Sequence, residues 1–305
     1  MARLNGYITI CLLSFLVVTL YSCNNKKSTE YDTPKKGTIN ISVDETFKPV
    51  IEEEIKVYES SYPEAHILAS YKSEADCLRD LQKDSTRMII VAKGLTDKEG
   101  ALFRQRLSYK PIWEIIAYDA VSVVIKANSK DSVYTIARLK KLLTDSTVKK
   151  EVIVDGNNAT STVRYLLDSV LKGGSFSSIV RAVNGSKAVL DYVADNVDAI
   201  GFVGSSWVGN DQDPEQVKYF DKIHFALIEC KSCGSNIFAK PSQSTLSNGE
   251  YPLVRPLYYV LKENYTGLGT GFVNFLSLER GQLIFRRANL VPAKMQFNVR
   301  KVNEE

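Results

Sequence analysis

From residue 38 onward, short β-branched runs alternate with longer amphipathic stretches. Residues 39 to 43 are followed by 50 to 58, 67 to 70 by 74 to 81, and 88 to 92 by 98 to 107. The first member of each pair has the length and side chains of a strand and the second has one apolar face at helical spacing. The rhythm predicts a mainly parallel sheet flanked by helices. Helix starts are marked: Thr46 precedes Pro49 and the acidic run Glu52, Glu53, Glu54, and Thr96-Asp97-Lys98-Glu99 has the spelling of a capping box. After a strand at 120 to 126 the alternation resumes, with helices at 136 to 143, 162 to 172 and 187 to 194 and strands at 151 to 154 and 199 to 203. The pattern closes with strands at 222 to 228 and 253 to 260 and a helical pair at 272 to 288. No proline- or serine-rich linker divides the chain, so any lobe boundary is crossed by ordered residues.

The first residues follow a different logic. Arg3, with no acidic residue near it, precedes Ile8, Ile10, Leu12, Leu13, Phe15, Leu16, Val17, Val18 and Leu20. A cationic end, an apolar stretch and a small residue form the layout of a secretory signal. The stretch falls short of the roughly 20 predominantly apolar residues that cross a membrane comfortably. Leu20-Tyr21-Ser22-Cys23 resembles a bacterial lipobox, in which the cysteine becomes the lipidated first residue, although Tyr21 is bulky for that position. The plain alternative is an uncleaved anchor with an incidental cysteine. Expected are a signal peptide over 1 to 22, a lipid on Cys23 and a polar tether over 23 to 37.

Charge then removes one class of partner. The chain has 39 basic and 35 acidic residues; losing residues 1 to 22 removes only Arg3, leaving 38 against 35, a formal +3. Nothing there points to nucleic acid. The remaining 305 − 22 = 283 residues suffice for a large core or two lobes. Cys11 and Cys23 belong to the export segment, which leaves Cys77, Cys230 and Cys233. Cys230-Lys231-Ser232-Cys233 has the spacing of half a zinc site or a redox pair, but His66 and His224, the only histidines, fall in predicted strands. A local disulfide, or two free thiols in a loop, is the plainer reading. Two histidines and no GxSxG, HExxH or P-loop spelling argue against catalysis.

The chemistry concentrates where residues 155 to 162, Asp-Gly-Asn-Asn-Ala-Thr-Ser-Thr, run from a strand into a helix. Hydroxyl groups and free backbone N–H groups at a helix start make an oxyanion site. Equally, Thr160 or Ser161 could simply cap the helix. Asp44-Glu45-Thr46 and Ala92-Lys93-Gly94 also lie at the carboxyl ends of predicted strands, where ligands of open α/β sheets gather.

Several landmarks occur in the order of a known family. Residues 119 to 125, Asp-Ala-Val-Ser-Val-Val-Ile, resemble its crossing strand; Ala199 to Gly204 resembles its "AIGYVG", and Tyr251 to Tyr258 its "YPLxRPLY". Phe272 to Leu276, Gly281-Gln282 and Val291-Pro292 resemble its closing segment. The chain thus resembles the PstS-like phosphate-binding lipoproteins of ABC importers over residues 38 to 293. The resemblance implies an α/β, two-lobed type II periplasmic-binding-protein fold, each lobe a mixed, mainly parallel sheet flanked by helices. Lobe one would hold 38 to 119 and 253 to 305, and lobe two 120 to 252. It also implies inorganic phosphate or a similar oxyanion as ligand, an ABC permease as membrane partner, no cofactor, no metal and no catalytic residue. The expected ligand set is Thr46, Lys93, Asp119, Thr160, Ser161, Thr162 and Arg164.

Departures fall inside that site. Asp44-Glu45 stand where the family begins its first loop with Gly-Ser, Ala92 lacks a side-chain donor, Lys93 replaces an arginine, and Val154 lies near where another arginine is expected. Lysine supplies charge without the bidentate fork. Asp44 and Glu45 would oppose an anion unless they point away or accept the ligand's proton. These departures support a rival: a surface lipoprotein of the same fold that serves as sensor or scaffold and no longer binds phosphate.

Overall fold

The computed structural model describes residues 31–156 and 160–295. The expected export signal, Cys23, the expected tether up to residue 30, and Asn157 and Asn158 lie outside the described residues. β1 (Lys36–Asp44) enters α1 (Lys48–Ser61) through one 3-10 turn (Glu45–Phe47). β2 (Glu64–Lys72), α2 (Glu74–Asp80), β3 (Thr86–Val91) and α3 (Asp97–Leu107) follow. After β4 (Ile112–Lys126) come β5 (Val133–Tyr134), α4 (Ile136–Thr144), β6 (Glu151–Val154), α5 (Ser161–Tyr165), β7 (Val180–Ala182), α6 (Ser186–Asp195) and β8 (Ala199–Gly204). The chain ends with α7 (Pro214–Val217), β9 (Ile223–Phe225), β10 (Leu227–Glu229), β11 (Phe238–Ala239), α8 (Gln243–Ser247), β12 (Val254–Leu261), α9 (Leu268–Ser277), α10 (Glu279–Arg287) and β13 (Val291–Pro292).

The sheet order is β2-β1-β3-β12-β4-β8-β6-β7, with β9 and β13 also paired to β4. β1 is parallel to β2 and β3, and β6 is parallel to β7 and β8. β4 joins the two parallel sets. Its first half runs antiparallel to β12 and β13, its second half to β8 and β9. One core gathers Ile39, Ile41 and Val43 of β1, Ile51 and Tyr58 of α1, and Phe272 and Phe285. Another begins at Ala120 on β4 and includes Val152, Leu166, Phe202 and Tyr251. Burying each such side chain contributes about 1.5–3 kcal/mol, and each side of the β4 crossing has a core of its own.

Three expectations need correction. The strand expected at 222 to 228 breaks at the buried Ala226, because β9 pairs with β4 whereas β10 joins β5 and β11 in a separate three-stranded sheet. The helix expected at 162 to 172 is α-helical only to Tyr165 and then widens into a π turn (Leu166–Val170). Lys172 and Gly173, at φ 54° and 84°, end it. The tether expected up to residue 37 is shorter. Asp32 accepts from Tyr265 and from the Leu268 N–H at the start of α9, Tyr58 donates to the Pro34 carbonyl, and β1 begins at Lys36. Cys230 and Cys233 form a disulfide in the connection from β10 to β11, and Cys77, the one other cysteine among the described residues, is buried. Among the described residues no helix is long and apolar enough to cross a membrane.

Candidate oxyanion site between the lobes

Parallel strands present their carboxyl ends to the lobe junction: β1 ends at Asp44, β6 is followed by Asp155, and β8 leads into Ser205. Asp44 caps the 3-10 turn, its Oδ1 accepting from the Thr46 N–H at 3.1 Å and hydroxyl at 3.0 Å. Its Oδ2 accepts the Ser161 N–H at 3.2 Å, the start of α5 in the opposite lobe. Glu45 also crosses over, Oε1 accepting the Ser186 N–H at 3.1 Å and Oε2 the Ser186 hydroxyl at 3.2 Å. Gly185 permits that approach. Its φ is +86°, and a Cβ there would stand 2.9 Å from Glu45 Oε1.

Asp155 completes the set. Oδ1 accepts from Thr160 at 2.7 Å, while Oδ2 takes longer contacts from Ser186 at 3.3 Å and Thr46 at 3.5 Å. Thr160 also accepts from the Val163 N–H at 3.2 Å, so it both caps α5 and serves the junction. Beneath these groups, Asp119 of β4 and Arg255 of β12 stand directly opposite in the antiparallel register. Arg255 Nε and NH2 donate to Asp119 Oδ2 at 3.0 and 2.8 Å, and NH1 donates to Ser161 and Thr162 hydroxyls at 3.0 and 3.2 Å. The Ser205 N–H holds the other Asp119 oxygen at 3.0 Å. Gly204 keeps this layer tight, since a Cβ there would meet Thr46 at 2.8 Å and the Arg255–Asp119 pair just above 3 Å.

Electrostatics follow from burial. Asp44, Thr46, Asp119, Ser161, Thr162 and Ser186 are fully enclosed. Burial, reinforced by Glu74, pushes Asp44 up to about 6 against the opposing pull of Arg255 and the hydrogen bonds. Burial, reinforced by Asp155, pushes Glu45 up to about 7. Asp155 is raised as well, again by burial.

Of the expected residues, Thr46, Asp119, Thr160, Ser161 and Thr162 are brought together. Arg164 crosses to the first lobe but is held by Glu74, with a further bond to the Ala92 carbonyl at 3.3 Å. Lys93 stands apart, half-buried beside Glu99 at the start of α3. Val154 is buried in the second core. Ala92, without a side-chain donor, uses its backbone N–H, which donates to Glu74 at 2.9 Å. Sequence reasoning missed Arg255, Asp155, Ser186 and Glu74. Arg255 carried a signal: in β12 it takes the same buried parity as Leu257 and Tyr259, where an unpaired arginine would not be tolerated. Ser186 had one too, following Asn184-Gly185 at a helix start.

In this two-lobed α/β architecture, helix-start donors meet at the carboxyl ends of the strands, where ligands of open α/β sheets bind. The family model described as PBP superfamily domain matches residues 28–279, and the chain belongs to that family. Its fold is the type II periplasmic-binding-protein fold. The chain is 23% identical over 272 residues to phosphate-binding protein PstS of Pseudomonas aeruginosa, covering 81% of this chain and 80% of that one. A Clostridium perfringens substrate-binding protein solved with bound phosphate aligns at a TM-score of 0.69 and 19% identity, covering 85% of this chain and all of that one. An ABC-type phosphate transport receptor from Vibrio cholerae aligns at 0.60 and 16%, covering 84% and 100%.

Proposed function

We propose that this protein is an extracytoplasmic substrate-binding lipoprotein that takes phosphate or a related small oxyanion between its lobes and delivers it to an ABC permease. The observation that carries this reading is the convergence of donors from both lobes on anionic oxygens. Thr46 contributes from the first lobe, the Ser161 and Ser186 N–H groups from the second, and Arg255, on Asp119, from the strand beneath. Such donors recognise an oxyanion by position and partial charge and need no metal or covalent step. The family and the phosphate-binding names of the relatives support the same class of ligand.

In this reading Thr46, Thr160, Ser161 and Thr162 contact the ligand, Arg255 and Asp119 hold the floor, and Arg164 fastens the lobes. The lobes divide at 119/120 and 252/253, a lipid on Cys23 holds the protein to the membrane, and residues 24 to 31 tether it close to its permease, raising the local concentration of both. The rival, a sensor or scaffold without phosphate binding, has the departures at Asp44, Glu45 and Ala92 in its favour and the relatives' names against it. Calorimetry on the chain lacking residues 1 to 23 tests the reading. Binding of phosphate, sulfate or molybdate is expected, and no heat from any of the three at millimolar concentration overturns it.

A further inference from the structure

We infer that Asp44 and Glu45 are internal occupants of the oxyanion donors, so that an external anion binds only when they are protonated and therefore takes up protons as it binds. The inference rests on the oxyanion reading above and deepens it.

Its basis is geometric. The Ser161 N–H, the Thr46 N–H and hydroxyl, and the Ser186 N–H and hydroxyl are donors of the kind an oxyanion would use, and each donates to one of these two carboxylates at 3.0 to 3.2 Å. Both carboxylates come from the first lobe, and Ser161 and Ser186 belong to the second. Arg255 acts on Asp44 only through space, since it donates to Asp119 at 2.8 Å and to the Ser161 and Thr162 hydroxyls. The two acids are thus held by hydrogen bonds from neutral groups across the junction. An incoming phosphate would add negative charge to a layer already holding Asp44, Glu45, Asp119, Asp155 and Glu74 against Arg255 and Arg164.

Most of the groups facing the two acids carry negative charge. Asp44 is faced by Glu74 and Cys77 of α2, by Arg255 of β12 and by Glu45; Glu45 is faced by Asp155 and Asp44. Glu74, Glu45 and Asp155 disfavour a further negative charge, Arg255 favours one, and burial keeps Cys77 a neutral thiol. Proton uptake by Asp44 and Glu45 converts competing acceptors into donors for the ligand's oxygens, at no loss of hydrogen bonding.

The test is calorimetry with inorganic phosphate at pH 5.5, 7 and 8, in buffers of different ionisation enthalpy so that protons are counted, on the wild type, D44N/E45Q and E45Q alone. The single variant, at a partly exposed position, guards against misfolding of the double one. Expected for the wild type is affinity that tightens at least tenfold from pH 8 to 5.5, with net proton uptake beyond phosphate's own ionisation. The variants should bind at pH 8 at least tenfold more tightly than the wild type, with fewer protons taken up. Wild-type binding without excess proton uptake, or variants that bind no better at pH 8, overturns the internal-occupant inference and leaves the oxyanion reading standing. No binding by any of the proteins at any pH overturns both.

Discussion

Asp80 and Asp44 are both buried carboxylates beside β1, and they have been neutralised in opposite ways. Asp80, at the end of α2, accepts from Ser42 of β1 at 2.7 Å and pairs with Lys72 at 2.5 Å and Lys83 at 2.6 Å. Two ammonium groups hold it far below the usual carboxylate range, outweighing the effect of burial. Asp44 lies two residues beyond Ser42, and its hydrogen bonds come from hydroxyl and backbone N–H groups, one of them from the other lobe. It is pushed up to about 6. A carboxylate satisfied by cations within its own lobe fixes local structure. One satisfied by neutral donors of another lobe occupies a place that an anion could take, and it remains able to titrate near neutral pH.

The largest effect should come from the layer on which this contrast rests. Arg255→Met leaves Asp119 buried without its cation, and removing one partner of a buried pair costs about 3–5 kcal/mol. The urea midpoint should fall accordingly. A loss under about 1 kcal/mol would mean that Asp119 is already neutral and that the floor of the site is not an ion pair.

Next in size is the pH response of the ligand-free protein. Asp44 and Glu45 are raised on folding, so their contribution is fully present below the unfolded value near 4 and is lost as pH rises through about 6 and 7. Stability should therefore decline by a few kcal/mol between pH 4.5 and 8, and D44N/E45Q should flatten that slope. Asp80 has the opposite sign: its contribution is present above the unfolded value near 4 and fades as pH falls further. Asp80→Asn should cost about 1–3 kcal/mol at pH 7, with the deficit shrinking below pH 4. Identical pH profiles for the two variants would break the comparison.

These contrasts were only partly legible beforehand. The alternation that builds β1 to β3 with α1 to α3 was plain, because strand and helix periods are local properties of the chain. Thr160 to Thr162 were legible for the same reason, as hydroxyls on a strand-to-helix turn. Asp44 and Glu45 were seen to be out of place, but their destinations were not, since Ser161 lies 117 residues from Asp44 and Ser186 lies 141 from Glu45. Arg255 was passed over as part of a family spelling, although its place in the buried parity of an apolar strand demanded a partner. Lys93 was expected because it stands at the carboxyl end of a strand where the resembling family carries an arginine. A charge names a candidate without saying which way its backbone will turn it.

Glu54 supplies a control, with a smaller expected effect. It is fully enclosed on α1, neither oxygen has a hydrogen-bond partner, and burial pushes its carboxyl well above the ordinary range, with Glu53 adding to the shift and Arg287 opposing it. Like Asp44 it lacks a close cation; unlike Asp44 it touches no donor of the other lobe. A buried polar group left unpaired costs about 1–3 kcal/mol, so Glu54→Leu should raise the free energy of unfolding at pH 7.5 by an amount in that range. Because the folded carboxyl keeps its proton, the wild type loses stability as pH rises above the unfolded value near 4, and the variant's advantage should narrow at pH 4.5. Phosphate affinity should not move. If Glu54→Leu changed proton uptake on phosphate binding, titration in this protein would follow burial alone, and the distinction drawn for Asp44 and Glu45, that they titrate because they occupy the ligand's donors, would fail.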